Sequence, residues 1–208
     1  MKRRDMLKFT AGATGLCLTG LSPASLLTAQ DSTEKIPVGI QLWCVRGEVN
    51  KDAPAAFKRL ADLGYKGVEL FGYGGGDSVM GIPADELADM IKEAGLVCCG
   101  IHANKGALED ANFEKTVEVN KRLGNDFLII AANAAQMGET DDIQDFADFL
   151  NPKAEDAKKV DMRVGYHAHP FDFKRFDGIT GWELLFSATE KDVIMQLDIG
   201  NCLGGDGE

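Results

Sequence analysis

All three histidines of the chain follow short apolar runs, at points where a β-strand would give way to a loop. His167 and His169 close one such run, Asp198 closes the next, and His102 ends an earlier one. Imidazole with carboxylate suits Zn, Mn, Fe or Co, and sites rich in carboxylates favour Mn or Mg. Because His167 and His169 are separated by one residue on a strand, their side chains point to the same face. The spacing therefore predicts a shared site that holds a divalent metal.

The elements that must position these residues repeat along the chain. Six apolar runs, beginning near residues 38, 66, 97, 126, 163 and 193, alternate with amphipathic helical patterns. This alternation predicts βαβ units and a parallel sheet, and the nearly continuous apolar character of the runs indicates strands that are covered on both faces. No strand-turn-helix carries the GxGxxG spacing, so a Rossmann domain is less favoured than a (β/α) barrel.

The expected fold is an α/β (β/α)8 TIM barrel. A closed barrel needs eight units and typically about 250 residues, whereas six units are visible here and the chain stops in the loop after the sixth strand. We therefore expect a partial barrel over residues 36–208, with about six βα units present. The carboxyl ends of barrel strands meet at one face. His102, His167, His169, Glu69 and Asp198 are thus expected to line one active site.

Three local patterns add detail to this expectation. The first strand is predicted over residues 38–45, and Asp52 is predicted to cap the helix that follows. The fourth main helix is predicted to begin at Thr140 and to be kinked or divided at Pro152, because proline lacks the backbone N–H that a helix interior uses. The glycine-rich residues 72–77 are predicted to form a mobile loop.

Composition and net charge limit the classes of protein to which the chain can belong. The 208 residues are 45% hydrophobic and 26% charged, which is ordinary for a soluble globular chain. The net charge of -11, without a stripe of lysine and arginine, argues against a nucleic-acid partner. Of the five cysteines, Cys17 lies in the amino-terminal segment, and the other four lie in or just after predicted strands without CxxC spacing. They are interpreted as small buried thiols instead of a zinc cluster or a disulfide framework.

The amino-terminal segment has the pattern of an export signal. Residues 1–29 begin with a basic Lys2-Arg3-Arg4 stretch, continue through a weakly apolar region and end at a small-residue cleavage site. The stretch after Arg3 resembles a twin-arginine signal. We predict a signal peptide over 1–29, a linker over 30–35, and a periplasmic or secreted protein. No stable membrane anchor is expected, because the segment lacks a continuous apolar run of about eighteen residues.

Two motifs carry a family resemblance. Residues 165–173, Gly-Tyr-His-Ala-His-Pro-Phe-Asp-Phe, and residues 196–201, Gln-Leu-Asp-Ile-Gly-Asn, resemble the xylose isomerase-like TIM barrel superfamily. The pattern is closest to its exported sugar phosphate isomerase/epimerase branch, and the resemblance covers residues 36–208. It implies a divalent metal (Mn, Zn or Mg) with His167 and Asp198 as ligands. The family's remaining His and Glu ligands would come from strands seven and eight.

The resemblance also implies roles for the other strand-end residues. Glu69, His102 and His169 are expected to be catalytic, with His169 orienting a sugar hydroxyl or carbonyl beside the metal. Substrate contacts are expected at four further positions: Trp43, Asn133, Asp172 and Asn201.

The implied reaction is proton abstraction next to a sugar carbonyl, which gives an enediolate and then an isomer or an epimer. A lyase or hydratase acting on 3-keto-sugars or glycosides is an alternative, and so is an inactive sugar-binding remnant. Export favours a free or oxidised sugar over a sugar phosphate, because sugar phosphates are cytoplasmic metabolites. Endonuclease action on abasic DNA is disfavoured by the acidic charge. A small-molecule sugar is the expected partner, and a homo-oligomer is left open.

Overall fold

The computed structural model describes residues 36–131 and 134–205. The predicted signal peptide (1–29) and linker (30–35) lie outside these residues. In the described part, six strands form one parallel sheet in sequence order. Their bounds are β1 Gly39–Gln41, β2 Gly67–Tyr73, β3 Val97–Ala103, β4 Phe127–Ile130, β5 Arg163–His167 and β6 Ile194–Gln196.

Seven helices alternate with these strands or follow them in the described part of the chain. They are α1 Arg46–Lys51, α2 Ala53–Asp62, α3 Ala84–Glu93, α4 Asp110–Arg122, α5 Thr140–Lys158, α6 Gly181–Ala188 and α7 Ile199–Gly204. Two short antiparallel hairpins precede α3 and α6: Ser78–Val79 with Ile82–Pro83, and Arg175–Phe176 with Ile179–Thr180. No helix in the described ranges is both long enough and apolar enough to cross a membrane.

The sheet is the curled, parallel half of a barrel. Each strand pairs in parallel with its neighbour in sequence, and among the described residues β1 pairs only with β2 and β6 only with β5. This topology confirms the prediction of a (β/α)8 class with about six units present. It also brings the carboxyl ends of all six strands to one rim, because every strand runs in the same direction.

The core lies between the sheet and the helices. Phe57 of α2, Leu87 of α3 and Phe146 of α5 are buried against the strands, and the Phe146 ring meets the buried Tyr166 ring edge to face at 5.2 Å. Asp52 caps α2 as predicted, with Oδ1 accepting the backbone N–H of Ala55 at 3.1 Å.

The first strand is shorter than predicted. It stops at Gln41, and Leu42–Val45 form a 3-10 turn that leads into α1. The turn forms because the side-chain oxygen of Gln41 accepts the backbone N–H of Trp43, which caps the new element. The prediction of a strand over 38–45 was therefore wrong at its carboxyl end, and Trp43 lies beyond the sheet instead of on it.

Pro152 does not divide the fourth main helix. α5 runs without interruption from Thr140 to Lys158. Leu150, Ala154 and Ala157 lie on both sides of the proline and are all buried on one face. Burying this stripe compensates for the single backbone hydrogen bond that proline removes.

The cysteines only partly follow the prediction of buried thiols. Cys98 is buried, and this burial raises the pKa of its thiol to about 12. Cys44 and Cys99 are exposed, so the prediction was wrong for both. All four cysteines in the described part of the chain are free thiols, as expected from the absence of a disulfide framework.

The close approach of strands β5 and β6 depends on Gly165. Gly165 is the partner of Ile194 in the β5–β6 pairing. A Cβ added at Gly165 would lie 2.6 Å from both the Cβ and the backbone oxygen of Ile194, and 3.0 Å from the Ile129 side chain. Because part of this clash is with backbone, side-chain rotation cannot relieve it. Gly165 is thus required for β6 to reach β5.

We expect Gly165→Ala to lower the free energy of unfolding by about 2–3 kcal/mol, through overpacking between β4, β5 and β6. Gly47→Ala is the matched control, because Gly47 lies in α1 and a Cβ there meets no atom within 4 Å. That change should be neutral or stabilising by about 0.5–1 kcal/mol. Urea denaturation of both variants measures the difference, and equal effects would contradict the proposed strand approach.

Candidate active site

A cavity of about 780 Å³ opens at the rim formed by the carboxyl ends of the strands. Parallel strands bring residues that are distant in sequence to this rim, which is where active sites of barrel folds lie. Seven of the nine predicted site residues line it: Trp43, Glu69, His102, His167, His169, Asp198 and Asn201. The sequence therefore predicted which strand ends meet at this cavity.

The other two predicted residues are not seen at the cavity. Asn133 lies outside the described residues. Asp172 has no exposed surface, and both of its oxygens are used in the interior. Oδ1 accepts the Tyr166 hydroxyl at 3.0 Å, and Oδ2 accepts the backbone N–H of His169 at 2.6 Å. The prediction that Asp172 contacts substrate was wrong, because its carboxylate braces the turn that follows β5.

Gln196 is a site residue that the sequence did not predict, as are Gln41 and Phe71. It ends β6 directly opposite His167 of β5. Its amide nitrogen donates to Glu69 Oε1 at 2.6 Å. Its amide oxygen lies 2.8 Å from His102 Nε2 and 2.9 Å from His167 Nδ1. One side chain therefore connects residues from β2, β3 and β5. The signal for Gln196 in the sequence was its place as the first residue of the motif at residues 196–201, two residues before Asp198.

These contacts fix which imidazole nitrogens carry protons. The ionised carboxylate of Glu69 can only accept, so the amide nitrogen of Gln196 must face it. The amide oxygen of Gln196 then accepts from both imidazoles, which places protons on His102 Nε2 and His167 Nδ1. His102 Nε2 also lies 3.1 Å from Glu69 Oε2, so its proton is shared between two acceptors.

The hydrogen bond at His102 Nδ1 supports the same proton assignment. Gln41 accepts the N–H of Trp43 through its side-chain oxygen, so its amide nitrogen faces His102. That nitrogen lies 3.1 Å from His102 Nδ1, which must therefore accept. Both ends of the network place the His102 proton on Nε2.

The same reasoning leaves a free electron pair on His167. With its proton on Nδ1, His167 presents an unprotonated Nε2, which lies 3.7 Å from Asp198 Oδ2. Neither atom can donate to the other. His169 also presents an unprotonated Nε2, because its Nδ1 donates to the backbone oxygen of His167 at 3.2 Å.

The donors of His167 and Asp198 fit a cation. Two ligands about 2.1 Å from a metal stand roughly 3–4 Å apart, and the 3.7 Å separation falls in this range. Asn201 orients the carboxylate, donating through Nδ2 to Asp198 Oδ2 at 3.2 Å and to the backbone oxygen of Ala168 at 2.9 Å. The described residues hold no group of three or more histidine, cysteine, aspartate or glutamate side chains that could bind a metal ion.

The comparisons with known proteins agree with this architecture. A sequence profile of the xylose isomerase-like TIM barrel matches residues 57–208. The chain belongs to this family. No curated protein sequence matches the chain significantly.

Solved structures show the same fold. A sugar phosphate isomerase/epimerase from Parabacteroides distasonis superposes with a TM-score of 0.73 and 23% identity, over 86% of this chain and 70% of that one. A second one from the same organism gives 0.68 and 22%, over 83% and 72%. A probable 3-DHS dehydratase from Bacillus anthracis gives 0.54 and 14%, over 83% and 66%. At these identities the likeness establishes the fold alone.

Burial and hydrogen bonding set the charges in this xylose isomerase-like site. Burial lowers the pKa of His167 to about 4, and the neighbouring His102 and His169 act in the same direction. Burial also lowers the pKa of His169. Burial alone would raise the pKa of Glu69, but hydrogen bonds from His102 and Gln196 outweigh it and hold this pKa below its ordinary value. At neutral pH the site therefore combines the neutral imidazoles of His167 and His169 with the Glu69 carboxylate.

The titration of Asp172 makes the free energy of unfolding depend on pH. Burial raises its pKa to about 6, against hydrogen bonds from the His169 backbone and Tyr166 that favour the charged form. The folded protein thus holds this proton more tightly than the unfolded chain does. The resulting stabilisation is fully present below the ordinary pKa of 3.8 and is lost as pH rises through about 6.

We therefore expect the stability difference between the wild type and Asp172→Asn to fall as pH rises. The fall should be on the order of 2–3 kcal/mol between pH 4 and pH 8, because the asparagine cannot titrate. Urea denaturation at several pH values measures this difference, in which the slopes of all other groups cancel. A difference that is flat or rises with pH would contradict the raised pKa.

Proposed function

We propose that this chain is a sugar isomerase or epimerase that uses a divalent cation held by His167 and Asp198. The observation that carries the proposal is the facing pair of electron-pair donors, His167 Nε2 and Asp198 Oδ2, 3.7 Å apart in the strand-end cavity. Membership in the xylose isomerase-like family and the isomerase/epimerase neighbours support the same reaction class.

The cation would be Mn, Zn or Mg, since imidazole and carboxylate donors serve all three. When bound, it would supply Lewis-acid polarisation of a sugar carbonyl. His167 and Asp198 would hold it, and Asn201 would keep the Asp198 carboxylate in position. We assign the remaining ligands to no residue of the described chain.

Glu69 and His169 are the groups suited to move the substrate proton. The Glu69 carboxylate is ionised and lines the cavity, and His169 presents an unprotonated Nε2 there. One of them would remove the proton from the carbon beside the carbonyl, which leaves an enediolate. Return of a proton to the neighbouring carbon gives the isomer, and return to the opposite face of the same carbon gives the epimer. His102 keeps Glu69 in place through its Nε2–H.

The lining of the cavity favours a sugar without a phosphate group. None of the described residues that line it is a lysine or an arginine, whereas Glu69 and Asp198 both face it. A phosphate is ordinarily held by cationic side chains. Arg46, close by, lies against the Trp43 ring at 4.4 Å and donates to the Trp43 backbone oxygen.

Trp43 and Phe71 supply an apolar wall for such a sugar. Their rings meet edge to face at 5.3 Å, and Trp43 is 57% exposed. An exposed indole offers a face on which the C–H side of a sugar ring can pack. The twin-arginine pattern in residues 1–29 supports the same substrate class, since we propose that the protein is exported to a compartment where free sugars are found.

Hydrogen exchange at carbon tests the proposal and does not require the product to be identified. The full chain is incubated in D2O with Mn2+ and a panel of neutral ketoses and aldoses, and NMR follows deuterium at the carbon beside the carbonyl. We expect exchange with at least one neutral sugar and at least about tenfold less with its phosphate ester. Asp198→Asn and His167→Ala should each slow the exchange by about 100-fold or more.

Asp192→Asn is the matched control, because Asp192 is an exposed aspartate whose carboxylate pairs with Lys158 at 2.6 Å, away from the cavity. It should exchange deuterium like the wild type. Equal exchange in Asp198→Asn would contradict the cation site, and faster exchange with the phosphate ester would contradict the neutral substrate. If the sugar instead loses a β-substituent and an enone forms, the enzyme is a lyase and the proposed isomerase reaction is wrong.

A further inference from the structure

We propose that Gln196 is a positioning residue that sets the tautomer of His167 and so keeps its Nε2 available as a ligand. This role deepens the proposed isomerase function, and it rests on that proposal where the cation is concerned. The tautomer itself is a property of the chain alone and can be measured without metal or substrate.

The fold holds Gln196 in place through its backbone. Gln196 and His167 are partners in the parallel β5–β6 pairing, and the Gln196 backbone oxygen accepts the N–H of Ala168 at 3.0 Å. Ile194, on the same face of β6, rests on the bare backbone of Gly165. The close approach that Gly165 permits therefore brings the Gln196 amide between the imidazoles and Glu69.

The polarity of this amide admits one arrangement. Reversing it would point the amide oxygen at the Glu69 carboxylate, 2.6 Å away, where two acceptors would repel each other. The carboxylate of Glu69 thus orients the amide of Gln196, and the amide orients the proton of His167. The negative charge of Glu69 on β2 thus determines which nitrogen of His167 on β5 carries the proton.

Without the amide oxygen, Asp198 would decide the tautomer. His167 Nε2 lies 3.7 Å from Asp198 Oδ2, so a small side-chain movement would allow a proton on Nε2 to bond to this carboxylate. A charge-assisted hydrogen bond of this kind is stronger than one to a neutral acceptor. That tautomer would occupy both donor atoms of the cation site with one proton. Gln196 prevents this by fixing the proton on Nδ1.

The test is the tautomer of His167 in Gln196→Met, which keeps the length of the side chain and removes both polar atoms. Long-range 1H–15N NMR of the full chain, with labelled histidine and without metal, identifies which ring nitrogen carries the proton. The chain has three histidines, so the His167 signals are assigned by their loss in His167→Gln. We expect Nδ1–H in the wild type and Nε2–H in Gln196→Met.

Gln144→Met is the matched control. Gln144 is an exposed glutamine on α5 that donates to Asp148 at 2.9 Å, and its replacement should leave His167 in the Nδ1–H form. Binding of Mn2+ alone, measured by calorimetry, gives a second readout. We expect Gln196→Met to bind Mn2+ about 10- to 100-fold more weakly than the wild type, and Gln144→Met to bind it equally well.

The outcomes separate this proposal from the proposed function. An Nε2–H tautomer in the wild type would overturn the role of Gln196 even if Gln196→Met fails to fold. An unchanged Nδ1–H tautomer in folded Gln196→Met would overturn it as well. If the tautomer changes as expected but the wild type binds no Mn2+, then the role of Gln196 in placing the proton stands and the cation-dependent function fails.

Discussion

The hydrogen bond between the Gln196 amide and the Glu69 carboxylate is the contact on which the rest of the site depends. It joins the second strand to the sixth at 2.6 Å, and it determines the direction of an amide that also faces His102 and His167. A partly buried polar network of this kind is destabilised if any member lacks a partner. Here each member has one, so the network defines both the geometry of the site and the places of its protons.

The scaffold satisfies a matching geometric constraint. The carboxyl ends of the six parallel strands lie at one rim. Side chains on different strands contact each other there only if the strands approach closely. Gly165 permits the approach of β6 to β5, and the turn after β5 is braced by the buried Asp172. Stability and site geometry are therefore connected through the same few buried residues.

Much of this arrangement was accessible from the sequence, because it depends on local pattern. The alternation of strands and helices predicted the barrel class, and the positions of His102, His167 and Asp198 at strand ends predicted their convergence. What remained hidden depends on partners far apart in the chain. A glutamine at the end of a strand has no defined role until the carboxylate of Glu69 is known to face it. Likewise, Asp172 carries a typical ligand side chain, and only its complete burial shows that it braces the fold.

We propose that His167 and Asp198, whose Nε2 and Oδ2 atoms lie 3.7 Å apart, act together as donors for a cation. Pulsed electron paramagnetic resonance of the full chain loaded with Mn2+ tests it most directly, because modulation from a coordinated nitrogen reports an imidazole bound to the metal. We expect one coordinated imidazole nitrogen, which is lost in His167→Ala and retained in His169→Ala. A spectrum without a coordinated nitrogen, or with one that persists in His167→Ala, would contradict it.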